Sequence, residues 1–188
     1  AIVSDLAAAN TRFESFFVEG DPRLALTVTP PKDGPLVRFL HGIGGGRMNW
    51  SAQLAAVAPY LRAGALDLRG YGESALGAAQ STINDYCADI LRVMASLVAD
   101  RIVLCGLSYG SWIATSFAMR HPDKLAGLVL SGGCTGMSEA GAAEREAFRK
   151  SRQVPLDAGQ TPADFAPAVV EVLAGPGAGD DVRQRLFA

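Results

Sequence analysis

The chain has 188 residues, 49 % hydrophobic and 19 % charged, the balance of a globular domain with its own core. Its formal net charge is −2 and no basic stripe runs along it, which argues against nucleic acid as a partner. Ala1 to Phe17 carries Asp5 and Glu14 and lacks a basic start before an apolar block, so it does not read as a signal peptide, and no run is long and apolar enough to span a bilayer.

Phe13 to Glu19 and Leu24 to Thr29 flank Gly20-Asp21-Pro22 and read as a hairpin at one end of a sheet. Leu36 to Leu40 is a short apolar strand that ends at His41-Gly42-Ile43-Gly44-Gly45-Gly46. Trp50 to Leu61 spaces Leu54, Val57, Ala58 and Leu61 at helical intervals. Ala63 to Leu68 makes another strand, broken by Arg69-Gly70-Tyr71-Gly72. Ser81 or Thr82 can cap a helix through Leu97, with Ile83, Tyr86, Ile90, Val93, Met94 and Leu97 on one face. Arg101 to Cys105 reads as a strand, Tyr109 to Arg120 as a helix stopped by His121-Pro122, and Leu125 to Leu130 as one more strand. Strands that alternate with helices, and are themselves continuous apolar runs, predict an α/β fold: a doubly wound, mostly parallel sheet with helices on both faces.

Beyond Ser131 the composition shifts. Glu139 to Lys150 is charged and helical, Thr161-Pro162-Ala163-Asp164 has the form of a helix start, and Asp180 to Ala188 opens another helix. The division expected is a core over residues 1–134 and a helical segment over 135–188. The three cysteines, Cys87, Cys105 and Cys134, are odd in number and far apart, which suits reduced thiols and a cytoplasmic location. No CxxC or His/Cys cluster suggests a metal site.

The most informative stretch is Ile102-Val103-Leu104-Cys105-Gly106-Leu107-Ser108-Tyr109-Gly110. A buried strand runs straight into G-x-S-x-G, with a helix behind it. That pattern holds a serine hydroxyl out on a tight strand-to-helix turn, and Gly106 and Gly110 supply the small residues such a turn needs. Ser108 is therefore the candidate nucleophile. The Tyr109 N–H, at the helix N-terminus, is a candidate donor to an oxyanion. The glycine loop after His41 does not fit a phosphate loop, because Gly46 is followed by Arg47 and Met48.

Three motifs stand in one order: His41-Gly42-Ile43-Gly44-Gly45-Gly46, Asp67-Leu68-Arg69-Gly70-Tyr71-Gly72-Glu73-Ser74, and Gly106-Leu107-Ser108-Tyr109-Gly110. With them the chain resembles the α/β-hydrolase superfamily, closest to its small-molecule esterases, enol-lactonases, C–C hydrolases and cofactor-free haloperoxidases. The resemblance covers about Phe13 to Ser131, and the later helices look like the start of that family's cap. It implies that the second oxyanion donor is the Ile43 N–H, with Gly44 next to it. It also implies that His41 is structural, and that the triad runs Ser, acid, His, with the last two after the cap.

Neither histidine suits the role of base. His41 precedes the oxyanion loop, and His121 lies thirteen residues past Ser108 along one helix, about 20 Å at the helical rise. Asp67 fits a loop-bracing role, and Asp157, Asp164, Asp180 and Asp181 read as helix caps or surface groups. The expectation is that the acid and the histidine come from a C-terminal remainder of the fold, in the same chain or a second one, and that Leu125–Leu130 is an exposed edge without it. Trp112, Ile43, Met48, Trp50, Cys134 and Met137 are candidates for a mostly apolar substrate pocket, with Gly44 at its rim. No cofactor is implied, since acyl transfer by a triad needs none. The function expected is hydrolysis of a small, mostly apolar ester or lactone through an acyl-enzyme on Ser108. The alternatives are C–C bond hydrolysis, perhydrolysis or lyase chemistry on the same fold, or a non-catalytic ligand-binding role.

Overall fold

The computed structural model describes residues 12–77, 80–133 and 139–187. A hairpin, β1 (Glu14–Val18) and β2 (Leu24–Val28), opens the chain and pairs antiparallel, as the sequence predicts. Then β3 (Leu36–Leu40), β4 (Ala63–Leu66), β5 (Ile102–Leu107) and β6 (Leu125–Ser131) run parallel to one another. The six strands form one sheet in the order β1-β2-β4-β3-β5-β6.

Strand β3 shows why these short runs form strands. All five of its residues are buried, and neighbouring side chains go to opposite faces. Leu36 and Leu40 join one core with Leu26, Leu66, Ile90, Leu104, Ile113 and Phe117. Val37 and Phe39 join a second core with Leu54, Ala63, Ala65 and Cys105. The first core is covered by α2 (Ile83–Ser96) and α3 (Tyr109–Arg120), the second by α1 (Ser51–Val57). A strand buried on both faces has no polar alternation to show, so apart from Arg38 it reads as an apolar run.

The helix starts follow cap chemistry. Thr82 caps α2, with Asp85 Oδ2 accepting from the Thr82 N–H at 2.7 Å and from its hydroxyl at 2.6 Å. The helix expected from Trp50 to Leu61 is shorter and differently built. A 3-10 turn, Arg47–Trp50, precedes α1, which stops at Val57. Trp50 stacks on Phe39 with ring centroids 4.8 Å apart and packs, half-buried, against the second core.

The described residues divide into two compact units, one up to residue 133 and one from residue 139. The second holds α4 (Ala142–Asp157), α5 (Pro162–Leu173) and α6 (Asp180–Phe187), with no strand among its described residues. Thr161 caps α5 through Asp164, as its sequence predicts. α4 runs past Lys150 and through Pro155, which has no N–H to give the Ser151 carbonyl one turn back, and the helix ends two residues later at Asp157.

Among the described residues no helix is long and apolar enough to cross a membrane.

Candidate active site

Three parallel strands end on the same edge of the sheet. β3 lies between β4 and β5, so the loop after β3 sits between the loop after β4 and the turn after β5. The three motifs are therefore neighbours in space, at the strand ends where open α/β sheets place their chemistry.

Ser108 is the pivot between β5 and α3. It is exposed, with φ 52° and ψ −112°, a backbone conformation that a side chain disfavours and that costs on the order of 1–3 kcal/mol. Bonds on either side hold it there. The Ser108 N–H donates to the Ser131 carbonyl at 2.9 Å, tying the turn to the end of β6. The Ser108 carbonyl accepts from the Ser111 N–H at 2.9 Å as α3 begins. The Ser111 hydroxyl, wholly buried, lies 2.6 Å from the Gly106 carbonyl and 3.0 Å from that of Ser131, so both share its proton. Gly110 lets the helix come down on β3: a Cβ there would lie 2.8 Å from the His41 carbonyl, and closer still to that of Leu40.

The loop after β3 lies against the serine. A Cβ on Gly42 would sit 3.3 Å from the Ser108 Cβ and 3.8 Å from its Oγ. The Gly45 N–H closes on the Gly42 carbonyl at 3.1 Å, and Gly44 has φ +75°, the signature of a type II turn with Ile43 and Gly44 at its centre. The turn's own bond does not use the Ile43 N–H, which has no hydrogen-bond partner among the described residues. The Tyr109 N–H is the first of α3 and has no carbonyl of its own helix to bond. Two backbone donors thus stand free on the loops that meet at Ser108. Ile43 is 68 % exposed and Met48 is exposed beside the same loop.

Both histidines are occupied elsewhere. His41 is buried; its Nε2 accepts from the Leu68 N–H at 3.0 Å and its Nδ1 bonds the Gly42 carbonyl at 2.8 Å. These partners fix a neutral ring that carries its proton on Nδ1. Burial holds its pKa below the usual histidine value, with the Gly42 bond and Asp67 opposing. A ring with both nitrogens engaged is not a base for Ser108. His121 closes the far end of α3, its ring 5.0 Å from that of Phe117. Asp67 is buried and spent on the loops: it accepts from the Arg47 N–H at 2.6 Å, from the Glu73 N–H at 3.0 Å and from the Arg47 guanidinium.

An aromatic group backs the helix start. Tyr109 stacks on Trp112 at 5.6 Å, and Tyr86 meets Tyr109 edge-on at 5.8 Å. Burial, and then the Tyr86 phenol, push the Tyr109 hydroxyl well above its usual pKa. Trp112 is half-buried against the larger core. Cys134 and Met137 lie outside the described residues. Arg47 and Ser111 were not singled out from the sequence; one arginine after a glycine run and one serine in a helix give no local signal of the long-range bonds they make. Among the described residues no cluster of His, Cys, Asp and Glu has the form of a metal site.

The sequence profile of the alpha/beta hydrolase fold matches residues 35–175, and the chain belongs to that family. Epoxide hydrolase B of Mycobacterium tuberculosis is 36 % identical over 103 residues, covering 53 % of this chain and 29 % of that protein. A 2-hydroxy-6-oxononadienedioate/2-hydroxy-6-oxononatrienedioate hydrolase of Klebsiella pneumoniae is 33 % identical over 135 residues, 69 % of this chain and 46 % of that one. The chain thus spans less than half the length of either relative. A hydrolase from Pseudomonas aeruginosa shares the fold with a TM-score of 0.71 over 96 % of this chain and 68 % of that one, at 24 % identity. A potato epoxide hydrolase matches with a TM-score of 0.57 and 25 % identity over 63 % of this chain and 39 % of that one.

Proposed function

We propose that the protein carrying this chain is a serine hydrolase of small, mostly apolar esters or lactones, with Ser108 as nucleophile. The observation that carries the reading is the exposed serine on a strained turn, set against a glycine turn whose Ile43 N–H is unpaired. Attack of the Ser108 Oγ on a carbonyl carbon places negative charge on the carbonyl oxygen, and the Ile43 and Tyr109 N–H groups would receive it. The C–O bond to the leaving alcohol then breaks, and water releases the acid from the acyl-enzyme. Ile43, Met48 and Leu107 are exposed apolar side chains beside the serine or its loop, and with Gly44 and Trp112 they suit an apolar substrate.

Neither histidine of the chain serves as the base. The histidine and its acid would come from residues beyond this sequence, on a C-terminal remainder of the fold or a second chain. This chain alone would then be inactive.

Several relatives are named epoxide hydrolases, but the elbow residue favours a carbonyl substrate. A serine alkoxide that opens an epoxide becomes an alkyl ether, which water does not cleave, whereas an ester intermediate turns over. The second reading is C–C bond hydrolysis, supported by the Klebsiella relative that aligns over 69 % of the chain. Product analysis on a diketone against an ester separates the two.

The test is covalent labelling. In the full-length protein a fluorophosphonate should label Ser108, and Ser108→Ala should abolish both label and turnover. A folded full-length protein that takes no label would remove the reading.

A further inference from the structure

The turn that carries the Ile43 N–H is fastened at both ends to one short segment, Asp67-Leu68. At its start, the Leu68 N–H donates to His41 Nε2 at 3.0 Å. At its far end stands Arg47, with a partner on its backbone N–H and on each of its three guanidinium nitrogens. Its backbone N–H donates to Asp67 Oδ1 at 2.6 Å, its Nε to Thr27 Oγ1 at 3.0 Å, one terminal nitrogen to Asp67 Oδ2 and the other to Glu73. The Arg47 side chain is 12 % exposed and that of Asp67 is 2 %. One arginine thereby joins β2, the end of β4 and the Glu73 loop to the residue that follows the glycine run. The planar guanidinium suits this, because it offers donors in a fixed fork and holds its partners at set angles.

The five residues between the clamps, Gly42 to Gly46, include four glycines, among the least rigid backbone a chain can have. A donor useful to an oxyanion must be placed before the reaction starts, not recruited during it. Glycine lets Gly42 approach Ser108, and the stiffness that glycine forfeits has to come from the ends of the turn. His41 supplies it at one end and Arg47 at the other.

We propose that Arg47 is a positioning residue: by clamping the far end of the glycine turn to Asp67 it keeps the Ile43 N–H beside Ser108. The inference rests on the serine-hydrolase reading above. Arg47 is turned to the loops and not to solvent, with a bond from each guanidinium nitrogen to Thr27, Asp67 or Glu73 and a side chain that is 12 % exposed.

The experiment uses the full-length protein with Arg47→Met and Arg47→Lys, beside the parent. Fluorophosphonate labelling and ester turnover by the parent come first; if the parent does neither, the serine-hydrolase reading fails and takes this inference with it. With an active parent, Arg47→Met should lower kcat by about 10- to 100-fold while KM stays within about threefold, the expected result of a misplaced donor. The inhibition constant of an alkyl boronic acid, which forms a tetrahedral anion on the serine, should rise in step with the fall in kcat. Arg47→Lys should fall between the two. A purely structural role would lower the melting temperature and leave kcat and boronate affinity, measured well below it, at parent values. That result overturns the proposal and leaves the serine-hydrolase reading standing. If Arg47→Met does not fold, Arg47→Lys is judged by the same criteria.

Discussion

Ser108 holds its φ of 52° because the residues around it leave no alternative, and Gly106 and Gly110 are the tightest of them. A methyl group at Gly110 has no flexible neighbour to push aside, only the carbonyls that end β3. Gly110→Ala should therefore cost about 1–3 kcal/mol, the range for overpacking, and should also move the elbow and suppress labelling of Ser108. Gly44→Ala is the contrast: it meets open space and only the φ of +75° opposes it, so about 1 kcal/mol is expected. Urea midpoints of the two variants check the difference. A third residue, Val98, is strained with no site to justify it. It has φ 53°, follows the end of α2, and is 91 % exposed. Glycine is the usual residue in that conformation after a helix, so Val98→Gly should stabilise by about 1 kcal/mol, seen as a higher melting temperature.

At this scale the elbow could be read from the sequence and its supports could not. G-x-S-x-G is a local pattern whose residues act on one another directly, so Ser108 and the approach of its glycines show in the order of residues. Arg47 and Ser111 act on groups some twenty residues away along the chain, Asp67 and Ser131. Nothing beside them in sequence marks those partners.

The elements divide in the same way. Strands β3 to β5 were legible because burial leaves apolar runs broken only by Arg38 in β3, β6 because it keeps the same apolar run at the sheet edge, and α2 and α5 because Thr82 and Thr161 announce their starts. The start of α1 was not, because Trp50 takes its place from a ring on the neighbouring strand. β3 contains one residue that no pattern explains. Arg38, 1 % exposed, lies in the middle of the sheet opposite Gly64, whose missing side chain makes room for the guanidinium. None of its three nitrogens has a hydrogen-bond partner among the described residues. Burial pushes its pKa down from 12.5 to about 9. A cation held without a partner opposes folding, and an apolar chain of similar length should relieve that. Arg38→Met is expected to stabilise by about 1–4 kcal/mol near pH 7. The sign of the pH dependence follows from proton binding. Between about 9 and 12.5 the unfolded chain keeps the proton that the folded chain has lost, so the stability of the parent gains with pH in that window. The advantage of Arg38→Met should therefore be constant below pH 9 and shrink above it, as urea midpoints at pH 7 and pH 10 would show.

For the whole molecule, the order β1-β2-β4-β3-β5-β6 has two consequences. It puts β3 between its two partners, so the loops of the three motifs converge although 27 to 41 residues separate His41 from Leu68 and Asp67 from Ser108. It also leaves β6 at an edge. The sequence predicts an exposed apolar strand there, and the structure has one: from Leu128 to Ser131 every residue of β6 is exposed, with Val129 at 51 %. Leu128 pairs with Leu104 and Val129 with Cys105, so the two side chains stand on opposite faces of the sheet and each face carries an apolar stripe at this edge. Proteins blunt such edges with charges, prolines or a covering element, and Ala126 to Leu130 holds none of the first two. The 188-residue chain on its own should therefore self-associate through β6. Val129→Lys places a charge on the strand at a position that is 51 % exposed. It should shift the chain toward the monomer in analytical ultracentrifugation while the circular dichroism spectrum stays the same. Association that persists unchanged in Val129→Lys would assign the contact to another surface, and the exposed apolar residues of α5, Val172 and Leu173, would be the next to substitute.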